Sequence, residues 1–458
     1  MIPASVLKEL SDIVGPKYFT TQHDELSRYA SDATKLEFMP DAVAFPGNSE
    51  EISRILHLAN REYFPVIPRG AGTGASGGVL PVMAGLVLAM DRFNKIIAID
   101  QDNLIVKVEP GVITGQLQEE VEKVDLFYPP DPASTNISTI GGNVAECAGG
   151  LRAVKYGVTR DYVLGLTVVL PTGETIKTGV KTTKGVVGYD LTRLIVGSEG
   201  TLAVITSIIL RLIPKPAFKK TMMAFFRNVS LAMQAVSDII RTKIVPSTLE
   251  FMDRLCIDCV RDEMNISIPG EAKALLLIEV DGDEVVVSRE AEKVQGVCGR
   301  TGVIDFKAAS GTVEAERLWE ARRNVSRSLL RLRPDKLSQD IVVPRSRMAE
   351  VVLFLGQLGR KYNLPIPAFG HAGDGNIHVN IMLDKNVPRE VEDANVVVRE
   401  LFRKVLEMEG TISGEHGIGI TKAPYIEMEI SRPAIELMSR LKKTFDPMGI
   451  LNPGKIFS

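Results

Sequence analysis

The chain has 458 residues, of which 54 are lysine or arginine and 57 are aspartate or glutamate, leaving a formal charge of −3. This balance, with no basic block, argues against nucleic-acid binding driven by phosphate neutralisation. Four cysteines are too few for a disulfide framework, so we expect a reducing compartment, the cytoplasm. The length suggests about three domains, or two large ones.

No stretch of the sequence suits a membrane anchor. The N-terminus MIPASVLKEL lacks the basic end and apolar core of a signal peptide. The apolar runs Ala84 to Met90 and Val163 to Leu170 are far shorter than the roughly 20 residues of a membrane helix. We therefore expect a cytoplasmic enzyme without a transmembrane segment, with any membrane association made through a partner.

The first half of the chain predicts an α+β domain. Residues 1–37 form a helical segment, and residues 38–217 alternate short β-rich runs with long glycine-rich connections. Helices are predicted at Ser49 to Arg61 and at Gly115 to Val124.

Residues 218–425 predict a second α+β domain, and residues 426–458 a C-terminal segment. Strands at 219–226 and 274–282 alternate with three predicted helices. These helices run from Val229 to Lys243, from Glu284 to Gly296 and from Met348 to Tyr362. The C-terminal segment opens with a helix from Arg432 to Lys443 and ends in turn residues.

The first glycine-rich loop contains G-x-G-x-x-G at Gly72, Gly74 and Gly77. A dinucleotide fingerprint of this kind requires a helix directly after it. Here Pro81 and Gly85 follow, so the next segment reads as a loop and a strand, and we reject a Rossmann site. The loop suits an anion held by backbone N–H groups, with Thr73 and Ser76 as hydroxyl donors; a plain surface loop is the alternative.

Two further loops favour the binding interpretation. They are PPDPASTN, which leads into TIGGNVAECAGG, and VGSEGT, which enters the strand LAVIT. Three loops rich in Gly, Ser and Thr in one domain are more than turns require, and together they could wrap a long phosphate-bearing ligand.

The order of PRGAGTG, DPAS…TIGGNVAECAGG and GYDLTRLIVGSEGTLAVIT resembles the flavin domain of the vanillyl-alcohol oxidase/p-cresol methylhydroxylase (PCMH) superfamily. The resemblance implies a two-subdomain PCMH-type FAD-binding domain, an α+β cap domain with an antiparallel sheet, and a C-terminal segment that returns to the FAD domain. Because the first loop lacks His and Cys, it implies non-covalent FAD. The implied FAD-binding residues are Pro68, Arg69, Gly70, Ala71, Gly72, Thr73, Gly74, Ser76, Gly77, Pro130, Asp131, Ser134, Thr139, Gly141, Gly142, Asn143, Ala145, Gly149, Gly150, Glu199, Gly200, Ile205 and Asn452.

Three of the five histidines cluster in two short motifs, HAGDGNIH at 371–378 and GEHG at 414–417. Alternation places His378 on one face of a strand, and His371 lies across a glycine turn from it. With Glu415 they suit a divalent metal with open positions for substrate, and His416 would act as a base. The alternative is a turn with two hydrogen-bonded histidines. We interpret the other two, His23 and His57, as packing residues.

HAGDGNIH, SGEHGIG and the closing DPMGILNPGKIF are similar to the FAD-linked 2-hydroxyacid dehydrogenases, which include D-lactate dehydrogenases and the flavoprotein subunit of glycolate oxidase. The resemblance implies that His371, His378 and Glu415 bind a divalent metal, zinc or else manganese or iron. It also implies that His416 is the catalytic base and that Asn380 contacts the substrate.

The substrate carboxylate requires a cation, and Arg322 matches the family's arginine. Ser326 stands where some relatives have threonine, and Lys336 aligns less cleanly with a family lysine. Most of the neighbouring arginines must be solvated, so a surface role for Arg322 is the alternative.

The cysteines bear on where the electrons go. Cys256 and Cys259 form a C-x-x-C without a second copy, so we interpret the pair as incidental or weakly redox-active. An iron–sulfur cluster in this chain is not expected. We therefore expect an external electron acceptor, such as an iron–sulfur or electron-transferring flavoprotein subunit, and an oligomer or complex.

These observations predict an FAD-linked D-2-hydroxyacid dehydrogenase that acts on D-lactate or glycolate. A non-catalytic FAD-binding electron-transfer subunit and a metallohydrolase of a phosphorylated substrate are the alternatives. Non-redox flavin chemistry, such as alkyl transfer to a lipid precursor, is a third alternative. The sequence contains no extended apolar segment that would support it.

Overall fold

The computed structural model describes residues 1–263 and 266–457. The chain folds into two compact units, and each is built from separate stretches of sequence. Unit 1 comprises Met1–Gly149, Gly157–Lys215 and Glu415–Ser458, and unit 2 comprises Gly150–Tyr156 and Pro216–Gly414.

Unit 1 contains two main sheets. In the first, three parallel strands carry one short antiparallel strand at the edge, and the order is β1 (Phe19–Thr20), β2 (Ala42–Ala44), β4 (Leu86–Ala89) and β3 (Val66–Arg69). The second is antiparallel, in the order β5 (Ile96–Asp100), β6 (Ile105–Val108), β10 (Val204–Arg211), β8 (Val163–Val169) and β9 (Thr175–Gly179). The short strands β7 (Leu126–Phe127) and β11 (Ile213–Pro214) pair with each other.

The helices of unit 1 are α1 (Ala4–Val14), α2 (His23–Leu26), α3 (Ser49–Glu62), α4 (Thr114–Glu122), α5 (Ile140–Glu146), α7 (Leu191–Ile195), α14 (Ile426–Glu429) and α15 (Arg432–Phe445). Helix α3 shows how the sequence fixes its ends. The side chain of Asn48 accepts a hydrogen bond from the N–H of Glu51, and Tyr63 ends the helix with φ +62°. Its buried residues Ile52, Ile55 and Ala59 recur at helical spacing and pack in the core of the unit.

Unit 2 is built on one antiparallel sheet of seven strands. Their order is β15 (Val303–Ala308), β12 (Phe218–Phe226), β14 (Ala274–Gly282), β13 (Thr248–Asp253), β17 (Ala368–His371), β18 (Asn376–Leu383) and β16 (Asp335–Val342). The helices are α6 (Ala153–Tyr156), α8 (Val229–Arg241), α9 (Arg254–Val260), α10 (Glu284–Arg300), α11 (Thr312–Ser328), α12 (Met348–Tyr362) and α13 (Pro388–Glu407).

Both faces of the central strands of this sheet are covered. Leu275 and Leu277 of β14 pack with Ile257 of α9 and Leu318 of α11 in one core. Helices α8 and α10 contact β12 and β14 as well. This double cover explains why β14 is a continuous apolar run rather than an alternating one.

The α+β fold predicted from the sequence is confirmed. The strands predicted at 219–226 and 274–282 are present, as are the six predicted helices. The rejection of a Rossmann site is also confirmed, because the loop after β3 leads to the parallel strand β4. The C-terminal segment returns within unit 1, where Leu451 bridges Val66 of β3.

The interpretation of His23 and His57 as packing residues is wrong, because both side chains are exposed.

Across the described residues, no helix has the length and hydrophobicity needed to cross a membrane.

Candidate functional site

The glycine-rich loops of unit 1 converge on one cleft. Seventeen of the 23 residues implied for FAD line it: Pro68, Arg69, Gly70, Ala71, Gly72, Thr73, Gly74, Ser134, Thr139, Gly141, Gly142, Asn143, Ala145, Gly149, Glu199, Gly200 and Ile205. The other six do not line it: Ser76, Gly77, Pro130, Asp131, Gly150 and Asn452. All three loops therefore contribute to a single groove.

The loop backbones come close together because the glycines have no side chain. Gly72 has φ +69° and Gly77 has φ +79°, values that favour glycine. A Cβ on Gly70 would collide with the hydroxyl of Thr139. Thr139 caps α5 by accepting a hydrogen bond from the N–H of Gly142, so the first and second loops meet at this helix start.

Some buried polar atoms of unit 1 lack a hydrogen-bond partner among the described residues. They include Oγ of Ser76, Oε2 of Glu146 and Oδ1 of Asn452. Glu146 lines the cleft, and Asn452 donates hydrogen bonds to the carbonyl oxygens of Gly78 and Glu199. Unpaired buried polar atoms are costly, so a polar ligand that supplies their partners fits this part of the unit.

A pair of carboxyl groups lies beside Gly417. A Cβ on Gly417, which has φ +80°, would touch both Glu146 and Glu199. Glu199 accepts hydrogen bonds from the N–H groups of Ile418 and Gly419, at 2.7 and 2.6 Å. Burial and then the charge of Glu199 raise the pKa of Glu146 well above its ordinary value. The pKa of Glu199 is also raised by burial, but its two backbone hydrogen bonds oppose this shift.

The GEHG motif also reaches this cleft. Both Glu415 and His416 line it. A Cβ on Gly149 would come within 2.7 Å of Oε2 of Glu415, so this glycine leaves space for the carboxylate. The candidate base and the candidate oxygen ligand therefore stand in the same groove as the glycine loops.

In unit 2, His371 ends β17 and His378 lies in β18, across the tight turn that the glycines allow. The Nε2 atoms of the two rings are 3.4 Å apart, and the ring planes are nearly perpendicular, at 88°. The strand and the turn predicted from HAGDGNIH are confirmed, and the two imidazoles face each other.

A buried carboxylate stands behind each ring. Nδ1 of His371 lies 2.6 Å from Oε1 of Glu250, and Nδ1 of His378 lies 3.6 Å from Oδ1 of Asp340. Burial alone would raise the pKa of Glu250, but the nearby charges of His371 and Arg322 outweigh it and hold that pKa below its ordinary value. The backbone N–H of Gly414 donates to Asp340, and Glu415 follows Gly414 directly in the chain.

Arg322 is positioned by the same carboxylate. Its Nε donates a 2.6 Å hydrogen bond to Oε2 of Glu250, and its guanidinium lies 4.6 Å from the centre of the Phe369 ring. Its side chain is only 12% exposed, whereas that of Arg323 is 55% exposed and pairs with Glu316. Arg322 therefore differs from the solvated arginine beside it.

The other predicted substrate residues occupy two places. Nζ of Lys336 donates a 2.6 Å hydrogen bond to Oγ of the exposed Ser326, so these two residues contact each other. Asn380 is buried and accepts a hydrogen bond from the hydroxyl of Ser338. Its amide also donates a long hydrogen bond to the carbonyl oxygen of His378.

Both cysteines of the C-x-x-C motif are buried in α9 and pack in the core of unit 2. Burial and the charge of Asp253 raise the pKa of the Cys256 thiol well above its ordinary value. A neutral, enclosed thiol is a poor nucleophile, which suits a packing role.

Sequence reasoning missed Glu146, Glu250 and Asp340. Each is an acidic residue within an apolar or small-residue run: NVAECAG, TLEFM and SQDIVV. A carboxylate in such a run must be paired when it is buried. An acidic residue within an apolar run could therefore have been recognised in the sequence as a candidate site residue.

Profiles of two protein families match the sequence. The profile described as "FAD linked oxidases, C-terminal domain" matches residues 215–456, and that described as "FAD binding domain" matches residues 40–179. The first match spans more than half of the chain. This chain belongs to the FAD-linked oxidases.

Curated relatives match this chain over nearly all of its length. The chain is 47% identical to "Glycolate oxidase subunit GlcD" of Bacillus subtilis, over 100% of this chain and 98% of the relative. It is 36% identical to the protein of the same name in Escherichia coli strain K12, over 98% and 90%, and 34% identical to "D-lactate dehydrogenase" of Anaerostipes hadrus, over 95% and 92%. The predicted assignment to the FAD-linked 2-hydroxyacid dehydrogenases is confirmed, and the protein is an FAD-binding oxidoreductase.

Solved structures share the fold. p-Cresol methylhydroxylase has a TM-score of 0.81 at 17% identity, covering 99% of this chain and 96% of that chain. An alkyldihydroxyacetonephosphate synthase has a TM-score of 0.75 at 18% identity, covering 99% and 85%. The predicted PCMH-type fold is confirmed.

Proposed function

We propose that this oxidoreductase converts a small D-2-hydroxyacid, D-lactate or glycolate, into the corresponding 2-oxoacid. The observation that carries the proposal is the presence of Glu415 and His416 in the cleft formed by the three glycine-rich loops. The names of the relatives support the same substrate class.

In this proposal His416 takes the proton of the substrate hydroxyl, since histidine is the commonest general base. Arg322 binds the substrate carboxylate. Its bond to Glu250 uses Nε, a geometry that suits a grip on a second carboxylate by the terminal nitrogens. Asn380, Ser326 and Lys336 are proposed as further substrate contacts. FAD, held non-covalently in the cleft, supplies the hydride acceptor when it is bound.

We propose that His371, His378 and Glu415 hold a divalent cation. Two imidazole nitrogens and a carboxylate oxygen suit zinc, with manganese or iron as alternatives. A cation bound there would act as a Lewis acid that lowers the pKa of the substrate hydroxyl. The carboxylates behind both rings fit this role, because metal-binding histidines commonly donate their other N–H group to a carboxylate.

The electrons require an acceptor outside this chain. An iron–sulfur cluster takes four cysteine thiolates, and of the four cysteines in this sequence only Cys256 and Cys259 form a C-x-x-C pair, so we do not expect a cluster in this chain. A relative is named as a subunit of glycolate oxidase. We therefore propose that this chain works in a complex and passes electrons to a partner subunit or another external acceptor.

Anaerobic titration of the purified protein with D- and L-2-hydroxyacids tests this proposal. We expect the visible flavin band to bleach with D-lactate or glycolate, and L-lactate to have no effect. A flavoprotein that no hydroxyacid bleaches would favour the non-catalytic electron-transfer subunit. A colourless protein that contains metal would favour the metallohydrolase.

A further inference from the structure

The carboxylate of Glu250 is the point where the arginine and one histidine of unit 2 meet. Its oxygens are divided between them: Oε1 lies 2.6 Å from Nδ1 of His371, and Oε2 accepts a 2.6 Å hydrogen bond from Nε of Arg322. The side chain of Glu250 is fully buried. Bulk water therefore does not reach this carboxylate.

The fold brings these residues together from three elements. Glu250 in β13 pairs directly across the sheet with His371 at the end of β17. Residues opposite each other on neighbouring strands point their side chains to the same face. Arg322 approaches from α11, and its guanidinium rests over the ring of Phe369, also in β17.

A carboxylate acceptor at Nδ1 determines which nitrogen of His371 carries the proton. Oε2 already accepts from Arg322, so Oε1 is the acceptor that faces Nδ1; an N–H at Nδ1 donates to it, and in the neutral ring the lone pair then lies on Nε2. That Nε2 atom faces Nε2 of His378, at 3.4 Å. The contact of Asp340 with His378 is longer, at 3.6 Å, so the constraint at His371 is the tighter of the two.

We propose that Glu250 is a positioning residue that sets the tautomer of His371 for cation binding and at the same time holds Arg322 in place for the substrate carboxylate. One buried side chain thus couples the cation site to the substrate-binding arginine. The inference deepens the proposed function and rests on it for the roles of His371 and Arg322.

Glu250→Gln is the first variant, and Glu279→Gln is its matched control. Glutamine has nearly the same shape, but its single amide oxygen can accept from only one of these two N–H groups, and its NH₂ group would face the other donor. Glu279 is another buried carboxylate of the same sheet, bonded to Thr221 and to Nε1 of Trp319. Glu279→Gln therefore also removes a buried carboxylate from the sheet, but the hydrogen bonds of Glu279 are made to Thr221 and Trp319 and not to a histidine.

The readout is zinc affinity of the FAD-loaded protein, measured by competition with a chromogenic chelator. We expect Glu250→Gln to bind zinc about 10- to 100-fold more weakly than the wild type, and Glu279→Gln to bind it normally. We also expect KM for the hydroxyacid to rise in Glu250→Gln while FAD stays bound. Wild-type zinc affinity in a folded Glu250→Gln protein would overturn the inference.

The wild-type protein provides a second test that does not depend on the folding of a variant. In metal-free, FAD-loaded protein labelled with ¹⁵N-histidine, NMR reports the tautomer of each ring, and comparison with His371→Gln assigns the signal. We expect His371 to be protonated at Nδ1. A proton at Nε2 alone would overturn the inference. A wild-type protein that does not bind zinc but has the Nδ1 tautomer would instead refute the proposed metal.

Discussion

The Nε2 atoms of His371 and His378 lie 3.4 Å apart at the turn between two neighbouring strands. If both nitrogens carried protons, the rings would repel each other. The carboxylates of Glu250 and Asp340 lie on the Nδ1 sides, which favours lone pairs on the facing nitrogens. The cation that we propose would bind both lone pairs.

The first prediction concerns removal of the metal. Treatment with a strong chelator is expected to abolish turnover of the hydroxyacid while FAD remains bound, because the glycine loops do not depend on the histidines of unit 2. Activity and the flavin spectrum are measured on the same sample, before and after zinc is restored. An unchanged rate in fully demetallated protein would remove the metal from the mechanism.

The second prediction concerns the arginine. Arg322→Lys is expected to raise KM about 10- to 100-fold, because lysine cannot grip a carboxylate through two parallel hydrogen bonds, and charge-assisted bonds contribute roughly 1.5–3 kcal/mol. Steady-state kinetics measures the change. The control is Arg323→Lys, since Arg323 is an exposed residue whose surface ion pair contributes little. Equal KM values in the two variants would argue against a role for Arg322 in substrate binding.

The third prediction separates the two carboxyl groups of the cleft. Burial and the charge of Glu199 raise the pKa of Glu146, which favours its neutral form, so Glu146→Gln should be tolerated. Glu199→Gln replaces an acceptor of two backbone N–H groups and should cost roughly 1.5–3 kcal/mol.

The temperature at which FAD is released, followed by flavin fluorescence, measures this difference between the two glutamate variants. We expect a lower release temperature for Glu199→Gln and little change for Glu146→Gln. The reverse order would show that Glu146 is the ionised member of the pair.

The fourth prediction concerns Lys455, whose ammonium group is buried and donates to the carbonyl oxygen of Leu80. Burial lowers the pKa of Lys455 to about 8, against the opposing charges of Glu199 and Asp32. The folded protein therefore loses this proton at a lower pH than the unfolded chain, whose lysine pKa is 10.5. The destabilisation due to the buried charge is full below about pH 8 and declines as pH rises toward 10.5.

Lys455→Met removes this pH dependence. Relative to that variant, the wild type should gain about 1.5 kcal/mol of unfolding free energy between about pH 8 and about pH 9.5. Urea unfolding monitored by flavin fluorescence at several pH values measures the difference. Lys443→Met, at an exposed position of α15, should follow the wild type. Parallel profiles for the wild type and Lys455→Met would contradict the shifted pKa.

Local patterns in the sequence were sufficient for much of the fold. The strand at 274–282 and the helix at 348–362 were predicted with the bounds that the structure has. The strand is a continuous apolar run, and the helix ends where Asn363 takes the left-handed conformation. The turn of HAGDGNIH was also readable, since its glycines permit the conformation that brings His371 toward His378.

The sequence did not predict which distant residues these side chains contact. Glu250 and His371 are 121 positions apart, and only the register of β13 against β17 brings them together. The same holds for Glu199 and the N–H groups of Ile418 and Gly419, which are more than 200 positions away. Pairing of this kind depends on strand register and on tertiary packing, neither of which a single sequence specifies.

The reaction of His416→Ala with hydroxyacid tests the central claim most directly. Purified wild-type and variant proteins are mixed with D-lactate and with glycolate under anaerobic conditions, and the flavin band is followed in a stopped-flow instrument. We expect both proteins to be yellow, the wild type to bleach, and the variant to lose substrate-driven bleaching because the proton acceptor is absent. Full bleaching of His416→Ala at the wild-type rate would contradict the account.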